Sequence, residues 1–230
     1  ADASVGGKTA VDTPLATNLI GIFNQPEKVY LDIESWRTLP QEQISSGLAE
    51  TIKHACISDH EFYDYLDENM DLIFNINEDV CKHIAEMNCR IKSQVVMKDE
   101  KESGLREILN LGHTVGRAIE TVSDYRLLHG QAVAIGLVAE AVLANKRGYC
   151  SIEDVNKVKA ILKKAKLPIE IPDYIDREVL VKKLYTDKKV KNGNIRFVFQ
   201  KGIGDVMSFG NDEFAEPIDE SVAREIIMQI

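Results

Sequence analysis

The sequence lacks paired cysteines and any excess of positive charge. Its four cysteines, Cys56, Cys81, Cys89 and Cys150, show no C-x-x-C spacing, which argues against a disulfide scaffold and predicts reduced thiols in a cytosolic protein. Cys81, His83 and Cys89 lie close together, but their spacing fits no standard zinc knuckle. The formal net charge of -9 argues against a nucleic-acid partner, which would require clustered Lys and Arg.

Long apolar runs are also missing. The most apolar window, residues 132–144, contains Glu140 and is too short to cross a bilayer. The chain opens on Ala1-Asp2 without the apolar stretch of a signal peptide. We therefore expect no membrane partner and a cytoplasmic location. With 230 residues, 44% of them hydrophobic and 28% charged, the chain can bury a sizeable core.

Two of the five histidines are flanked by small residues in the sequence. His113 lies between Gly112 and Thr114, and His129 precedes Gly130. Sixteen positions along one straight helix would separate them by roughly 24 Å, too far to share an ion. The segment 123–125, Ser-Asp-Tyr, offers a turn between two antiparallel helices that would bring the histidines together.

A third ligand is predicted on an earlier helix, over residues 41–58. Glu50, Lys53 and His54 follow one another at i, i+3 and i+4, so they share a helix face. A surface ion pair would explain that spacing, but the small apolar segment 47–49, Gly-Leu-Ala, indicates that the face is buried. A buried carboxylate needs a cation, which makes Glu50 the candidate ligand.

A polar stripe precedes and includes His113. Arg106, Asn110, His113 and Arg117 recur at i, i+4, i+7 and i+11 among apolar residues, which on a continuous helix would form a single line. Such a stripe in an apolar setting is typical of a binding site. Gly112 and Gly116 weaken the assumption that the helix is continuous.

The remaining pattern predicts a mainly α fold. Helices are expected at 61–72, 79–97, 131–147, 176–186 and 219–230, together with one that Ser151 caps. Near the C-terminus, a turn at Asn192-Gly193 should lead into a strand at 195–199, with another strand at 206–209. A β-rich run at 28–32 predicts an isolated strand, whose sheet we expect upstream of residue 1.

The N-terminal loop offers a weaker signal. Gly6-Gly7 can expose backbone N–H groups and Lys8 adds a charge, a combination that suits an anion. The spacing does not match a Walker loop. A plain surface turn explains the same residues.

Five segments together resemble the 3-dehydroquinate synthase family of sugar-phosphate cyclases. They read ADASVGGKTAVD, SSGLAETIKHA, GLREILNLGHTVGRAIE, LHGQAVAIG and DKKVKNGNIRFV, in the family's order. The resemblance implies an N-terminal α/β nucleotide-binding domain followed by a helical metal-binding domain. We therefore expect residues 1–36 to be the tail of a truncated NAD-binding domain and residues 37–230 to form the helical domain.

The resemblance also implies roles for individual residues. It makes Glu50, His113 and His129 the ligands of a divalent metal, most simply zinc, with cobalt as an alternative. It assigns cofactor contacts to Asp2 and Lys8. Catalytic and substrate-binding roles fall to a polar set: Lys8, Asn18, Lys53, Lys92, Arg106, Asn110, Arg117, Lys188 and Lys189.

The reaction implied belongs to the shikimate pathway of aromatic amino acid biosynthesis. 3-Deoxy-arabino-heptulosonate 7-phosphate would yield 3-dehydroquinate and phosphate through NAD-dependent oxidation, phosphate elimination, re-reduction and aldol closure. Members are commonly homodimers. Another sugar-phosphate cyclase, or a metal-dependent alcohol or glycerol dehydrogenase, stays an alternative. We expect this chain alone to bind metal weakly or not at all and to be inactive, as a non-catalytic helical domain would be.

One position departs from the family pattern, which usually reads G-H-T-x-G-H. Arg117 stands where the second histidine is expected. A guanidinium stays charged and cannot act as a base, although it can bind phosphate through two nitrogens. The substitution predicts that an anionic leaving group is retained while proton transfer at this position is weakened or moved.

Overall fold

A computed structural model describes residues 3–11, 20–186 and 195–230. Helices dominate these ranges, which confirms the mainly α prediction. In chain order they are α1 Gln41–Ser58, α2 His60–Glu68, α3 Met70–Phe74, α4 Glu78–Lys98, α5 His113–Val122, α6 His129–Lys146, α7 Ile152–Lys164, α8 Arg177–Thr186 and α9 Glu220–Gln229, with 3-10 helices at Ile33–Thr38 and Leu105–Asn110. Within the described ranges, no helix combines the length and apolarity of a membrane span.

Helix α6 forms the centre of the core, with buried residues on all its faces from Gly130 to Ala144. It packs closely on α5 and α1 through glycine. A Cβ added to Gly136 would lie 1.9 Å from the carbonyl oxygen of Gly112, and one at Gly130 would lie 1.9 Å from that of Ser46. Only glycine permits backbones to approach so closely. Gly112 lies against Gly136 and Gly116 lies against Ala132, so α5 and α6 are antiparallel neighbours, as predicted.

The turn between α5 and α6 forms where the sequence predicts it. Asp124 and Tyr125 both adopt the left-handed conformation, with φ of 54° and 55°. The amide of Tyr125 donates to the carbonyl oxygen of Glu120. The chain therefore reverses within a few residues and returns as α6.

Residues 106–117 do not form the continuous helix that a single polar line would require. A 3-10 helix covers Leu105–Asn110, and Gly112 then takes a left-handed φ of 77° before α5 begins at His113. The Gly112 amide donates to the buried Glu140 carboxylate at 2.6 Å. This break re-aims the polar residues on its two sides, because a left-handed residue ends the helical path.

The expected helix at 61–72 is also divided, since α2 ends before Asn69 and α3 begins at Met70. The other helix predictions hold to within a few residues. Ser151 caps α7 as expected, with its hydroxyl accepting from the amide of Asp154.

The strands differ most from expectation. The predicted strand at 28–32 does not form. Instead, β1 Lys8–Val11 pairs antiparallel with β2 Ile20–Phe23, which the sequence analysis missed. Near the C-terminus, β3 Ile195–Val198 pairs with β4 Ala215–Ile218, whereas the expected strand at 206–209 is reduced to a single bridge between Gln200 and Val206. The predicted turn at Asn192-Gly193 lies outside the described residues.

Candidate active site

Three helices bring a carboxylate and two imidazoles to one point. Glu50 lies on α1, while His113 and His129 are the first residues of α5 and α6. The Glu50 Oε1 atom lies 3.3 Å from Nε2 of His113 and 3.2 Å from Nε2 of His129. One ligand atom from each side chain lies within 4.8 Å of the other two. The structure therefore brings together the three residues that the sequence suggested as metal ligands.

The surroundings of His113 indicate that a cation fits there. Its Nδ1 lies 3.1 Å from the carbonyl oxygen of Leu111, and its Nε2 faces the Glu50 carboxylate. Burial lowers the pKa of His113 to about 4, although Glu50 opposes the shift, so the ring is neutral at pH 7. A neutral imidazole has one N–H for these two acceptors. A metal ion on Nε2 would satisfy the second contact.

His129 is placed in a similar way but is more exposed. Its Nδ1 lies 3.1 Å from Oε1 of Glu120, on the side opposite Glu50. The hydrogen bonds to Glu120 and Glu50 raise the pKa of His129 to about 9. Two imidazoles and one carboxylate are a donor set that zinc uses in catalytic sites, where the set leaves a coordination position for substrate.

Glu50 is kept ionised by its neighbours. Its second oxygen accepts a hydrogen bond of 2.5 Å from Lys53, which is buried. Burial alone would raise the pKa of Glu50, but Lys53 and His113 outweigh it and hold the pKa well below its usual range. The i, i+3 pair on α1 therefore lies inside the site and not on the surface.

A cavity of about 440 Å³ opens beside this triad. Its walls contain every predicted site residue that the structure describes outside the triad: Lys8, Lys53, Lys92, Arg106, Asn110 and Arg117. Asp2, Asn18, Lys188 and Lys189 lie outside the described residues. Glu50 is the only carboxylate among the described lining residues, against five Lys and Arg side chains. Such an imbalance favours a ligand with negative charge.

Arg106 is a buried cation without a carboxylate partner in the described part of the chain. Its guanidinium donates to the carbonyl oxygens of Glu100 and Gly6, each at 2.6 Å, and lies over the ring of Phe23. Carbonyl groups satisfy hydrogen bonds but do not neutralise the charge. An anion in the cavity would do so.

The loop before Arg106 is fixed by Asp99. The Asp99 carboxylate accepts from the amides of Ser103, Gly104 and Arg106 at 2.8–2.9 Å. Burial opposes ionisation, but these bonds outweigh it and lower the pKa of Asp99 to about 2. These hydrogen bonds hold the backbone of Arg106 in place, and its side chain extends from there to the cavity.

Lys8 and Arg117 lie where the main cavity meets a second one of about 360 Å³. Lys8 forms an ion pair with Glu102, and burial is the main cause that lowers the pKa of Lys8. Arg117 has no ion pair with any other residue that the structure describes. Arg196 and Lys101 line the second cavity together with Glu102 and Glu107, so side chains of both charges lie there.

Two functional candidates escaped the sequence analysis. Glu120 contacts His129, and Glu140 accepts from the amide that precedes His113. Glu120 lies near the end of α5 and Glu140 lies within α6, and neither carboxylate carries a local sequence signal of its role. Only the spacing of seven residues between His113 and Glu120, about two helical turns, hints that they share a face.

The chain matches two family models. The 3-dehydroquinate synthase C-terminal model covers residues 47–190, and the N-terminal model covers residues 1–46. A 3-dehydroquinate synthase from Aliivibrio fischeri is 44% identical over 229 residues, which are 99% of this chain and 62% of that protein. One from Pelobacter propionicus is 48% identical over 205 residues, 89% of this chain and 57% of that protein. The chain thus spans roughly three fifths of these relatives.

Solved structures share the fold at lower sequence identity. A 2-epi-5-epi-valiolone synthase from Streptomyces hygroscopicus, with NAD+ and Zn2+ bound, is 22% identical with a TM-score of 0.87 over 99% of this chain and 62% of that chain. A 2-deoxy-scyllo-inosose synthase complexed with carbaglucose-6-phosphate, NAD+ and Co2+ is 22% identical with a TM-score of 0.88 over 99% and 63%. The family models cover the triad and its cavity, and this chain belongs to the 3-dehydroquinate synthase family.

Proposed function

We propose that this chain is the metal- and substrate-binding part of a 3-dehydroquinate synthase. The whole protein would convert 3-deoxy-arabino-heptulosonate 7-phosphate to 3-dehydroquinate and phosphate. One observation carries the proposal: among the described residues, five Lys and Arg side chains and one carboxylate, Glu50, line the cavity beside the triad. That arrangement suits a polyol with two anionic groups, because the triad can receive hydroxyls while the cations receive a carboxylate and a phosphate.

The triad is proposed to hold one divalent metal, zinc or cobalt. When bound, the metal would act as a Lewis acid toward a substrate hydroxyl. Lys53 keeps the Glu50 carboxylate ionised, since its ammonium group stabilises the carboxylate against protonation. The two solved relatives contain Zn2+ and Co2+, which supports the choice of metal.

NAD is proposed as the cofactor of the whole protein because both solved relatives contain it. The described residues supply only Lys8 from the two predicted cofactor contacts, which is too little to hold a dinucleotide. We therefore assign most of its binding to the part of the relatives that this chain does not match. The proposed division at residues 36 and 37 lies ten residues before the boundary between the two family models.

The cations of the cavity are proposed to position the substrate. Arg106 presents a fixed guanidinium to the carboxylate or phosphate, and Lys53 and Lys92 add charge near the triad. Asn110 can bond a hydroxyl, while its amide nitrogen already donates to Glu102 at 3.0 Å. Lys188, Lys189 and Asn18 complete the proposed substrate set. In a partly dry cavity such charge-assisted bonds orient the substrate and exclude water from it.

Arg117 is proposed to bind the leaving phosphate and not to act as a base. Its permanent charge and its position between the two cavities suit that role. Converting it to histidine, Arg117→His, in the complete protein tests the assignment. We expect weaker binding of phosphate and a changed turnover rate; an unchanged rate and unchanged phosphate affinity would exclude a role in the reaction.

The alternative function is that of another sugar-phosphate cyclase. Arg117, which stands at the family's histidine position, favours it. A simple alcohol or glycerol dehydrogenase is less consistent with five cations around the cavity. The proposed homodimer and cytoplasmic location rest on the family alone.

The decisive experiment joins this chain to the N-terminal part of the Aliivibrio fischeri relative that the chain does not match. Supplied with heptulosonate phosphate, NAD and zinc, the chimera should release phosphate and form 3-dehydroquinate, while this chain alone should not. A folded, zinc-loaded chimera that releases phosphate only from a different sugar phosphate would favour the alternative cyclase. Reduction of NAD without phosphate release would favour a dehydrogenase.

A further inference from the structure

Glu120 contacts the metal triad without belonging to it. Its Oε1 atom lies 3.1 Å from Nδ1 of His129, and it does not line the cavity beside the triad. Within the described residues, His129 is its only ion-pair partner. Glu120 therefore contacts the histidine and does not face the space where the substrate would bind.

His129 needs such a partner more than His113 does. The side chain of His129 is 47% exposed, compared with 9% for His113 and 14% for Glu50. The buried ring of His113 is confined by packing and by the carbonyl oxygen of Leu111. An exposed ring at the first residue of α6 lacks that confinement, so its orientation depends on its hydrogen bonds.

We propose that Glu120 is a positioning residue of the metal centre. This inference rests on the proposed metal site. Glu120 accepts the Nδ1 hydrogen of His129, which selects the tautomer whose Nε2 lone pair faces Glu50 and the metal. A carboxylate in this place also makes the imidazole a stronger ligand.

Helix α5 explains how Glu120 stays in place. The carbonyl oxygen of Glu120 accepts from the amide of Tyr125 at 2.9 Å and from the hydroxyl of Ser123 at 3.0 Å. These bonds close the end of α5 at the turn into α6. One short helix thus supplies His113 as a ligand from its first residue and the orienting group for His129 two turns later.

The test compares two changes of the same side chain. Glu120→Ala removes both charge and acceptor, whereas Glu120→Gln keeps an acceptor oxygen. We expect the affinity for zinc to fall by roughly 10–100-fold in Glu120→Ala, the usual effect of losing an outer-shell partner, and by less in Glu120→Gln. Affinity is measured in the chimera with the N-terminal part of the relative, by competition with a chromophoric zinc chelator.

Asp64→Ala is the matched control. Asp64 forms the same kind of contact with an exposed histidine, since its carboxylate lies 3.2 Å from Nδ1 of His60. We expect its removal to leave zinc affinity unchanged. A comparable loss in Asp64→Ala would mean that the effect of Glu120 is not specific to the metal site.

Three further readouts separate the possible failures. If the unchanged chain binds no zinc even when joined to that N-terminal part of the relative, the proposed metal centre is wrong. If the unchanged chain or chimera binds zinc and folded Glu120→Ala binds it equally well, the role of Glu120 is wrong. A residue that only stabilises the fold would lower the metal-free melting temperature but leave the visible spectrum of the Co2+ form unchanged.

A double variant sharpens the result. In a His129→Ala background, Glu120→Ala should cause no additional loss of metal affinity, because the group it orients is gone. An equal loss in both backgrounds would overturn the inference. If Glu120→Ala fails to fold, the same comparison is made with Glu120→Gln, whose unchanged affinity and Co2+ spectrum together would also overturn it.

Discussion

The helical core and the N-terminal segment contribute differently to one site. The triad stands on α1, α5 and α6, whose inner faces are buried. By contrast, every residue of β1 and β2 is exposed, and between residues 20 and 40 only Ile33 is buried. Yet this segment places Lys8 in the cavity and gives the Gly6 carbonyl oxygen to Arg106. The metal half of the site therefore depends on the core, and part of the anion half depends on a segment with almost no core of its own.

Removing a metal ligand should have the largest effect. His113→Ala deletes one of three ligand groups, so we expect zinc affinity to fall by more than the roughly 10–100-fold typical of an outer-shell partner. Chelator competition with the same chimera measures the loss of zinc affinity. Phosphate affinity should change far less, because the cations are untouched. Equal losses of zinc and phosphate affinity would show that the two halves of the site are not separable.

Adding a methyl group at one of the two closest backbone contacts in the core should destabilise the fold. In Gly136→Ala the new Cβ would lie 1.9 Å from the Gly112 carbonyl oxygen, a backbone atom that no rotamer change can move. We expect the free energy of unfolding to fall by about 3 kcal/mol, the upper part of the usual range for overpacking, as measured by denaturant titration.

Gly47→Ala is the matched control, because a Cβ there meets nothing within 4 Å. On α1 it should stabilise the chain by about 0.5–1 kcal/mol, the difference in helix propensity. Destabilisation by both changes would mean that the core tolerates no added methyl group and that the close approach at Gly136 is not special.

The sequence predicts the core better than the N-terminal segment, for a physical reason. The face of α1 on which Glu50 lies follows from the 3.6-residue period, which depends only on the sequence of the helix itself. The predicted strand at 28–32 had β-forming residues, but a strand exists only where a partner pairs with it. That partner is not encoded locally. The hairpin of β1 and β2 was missed because both strands are only four residues long and fully exposed, so they carry no alternation of buried and exposed residues.

The sequence also did not predict the conformation of the helix break at Gly112 or the contacts between residues that are distant along the chain. Gly112 was recognised as a weak point, but its left-handed conformation is fixed by the Glu140 carboxylate, 28 residues away. The roles of Glu120 and Glu140 depend on which side chains meet after folding. The residues of the polar stripe nevertheless line one cavity, although they lie on both sides of the break at Gly112.

Acid should destabilise the loop after α4, whose Glu102 pairs with Lys8 of the N-terminal segment. The pKa of Asp99 falls from 3.8 to about 2 in the folded chain, so its carboxylate stabilises the fold above pH 4, and this contribution is lost as the pH falls from about 4 to 2. A shift of this size corresponds to about 2 kcal/mol. Asp99→Asn should remove most of that pH dependence, measured as the free energy of unfolding between pH 2 and 5. An unchanged slope would mean that Asp99 is not the group responsible.

Lys8 tests the N-terminal segment alone and should give the smallest effect. Lys8→Ala removes one charge from the cavity but leaves α1, α5 and α6 intact, so zinc affinity should stay the same. Phosphate affinity should fall by roughly tenfold, the value of a charge-assisted hydrogen bond of about 1.5 kcal/mol, as measured by calorimetry with inorganic phosphate. Lys98→Ala, an exposed lysine at the end of α4, controls for the loss of charge. If the two variants bind phosphate equally, Lys8 contributes only its overall charge. If Lys8→Ala also loses zinc, the segment supports the metal half as well, and the division between core and segment fails.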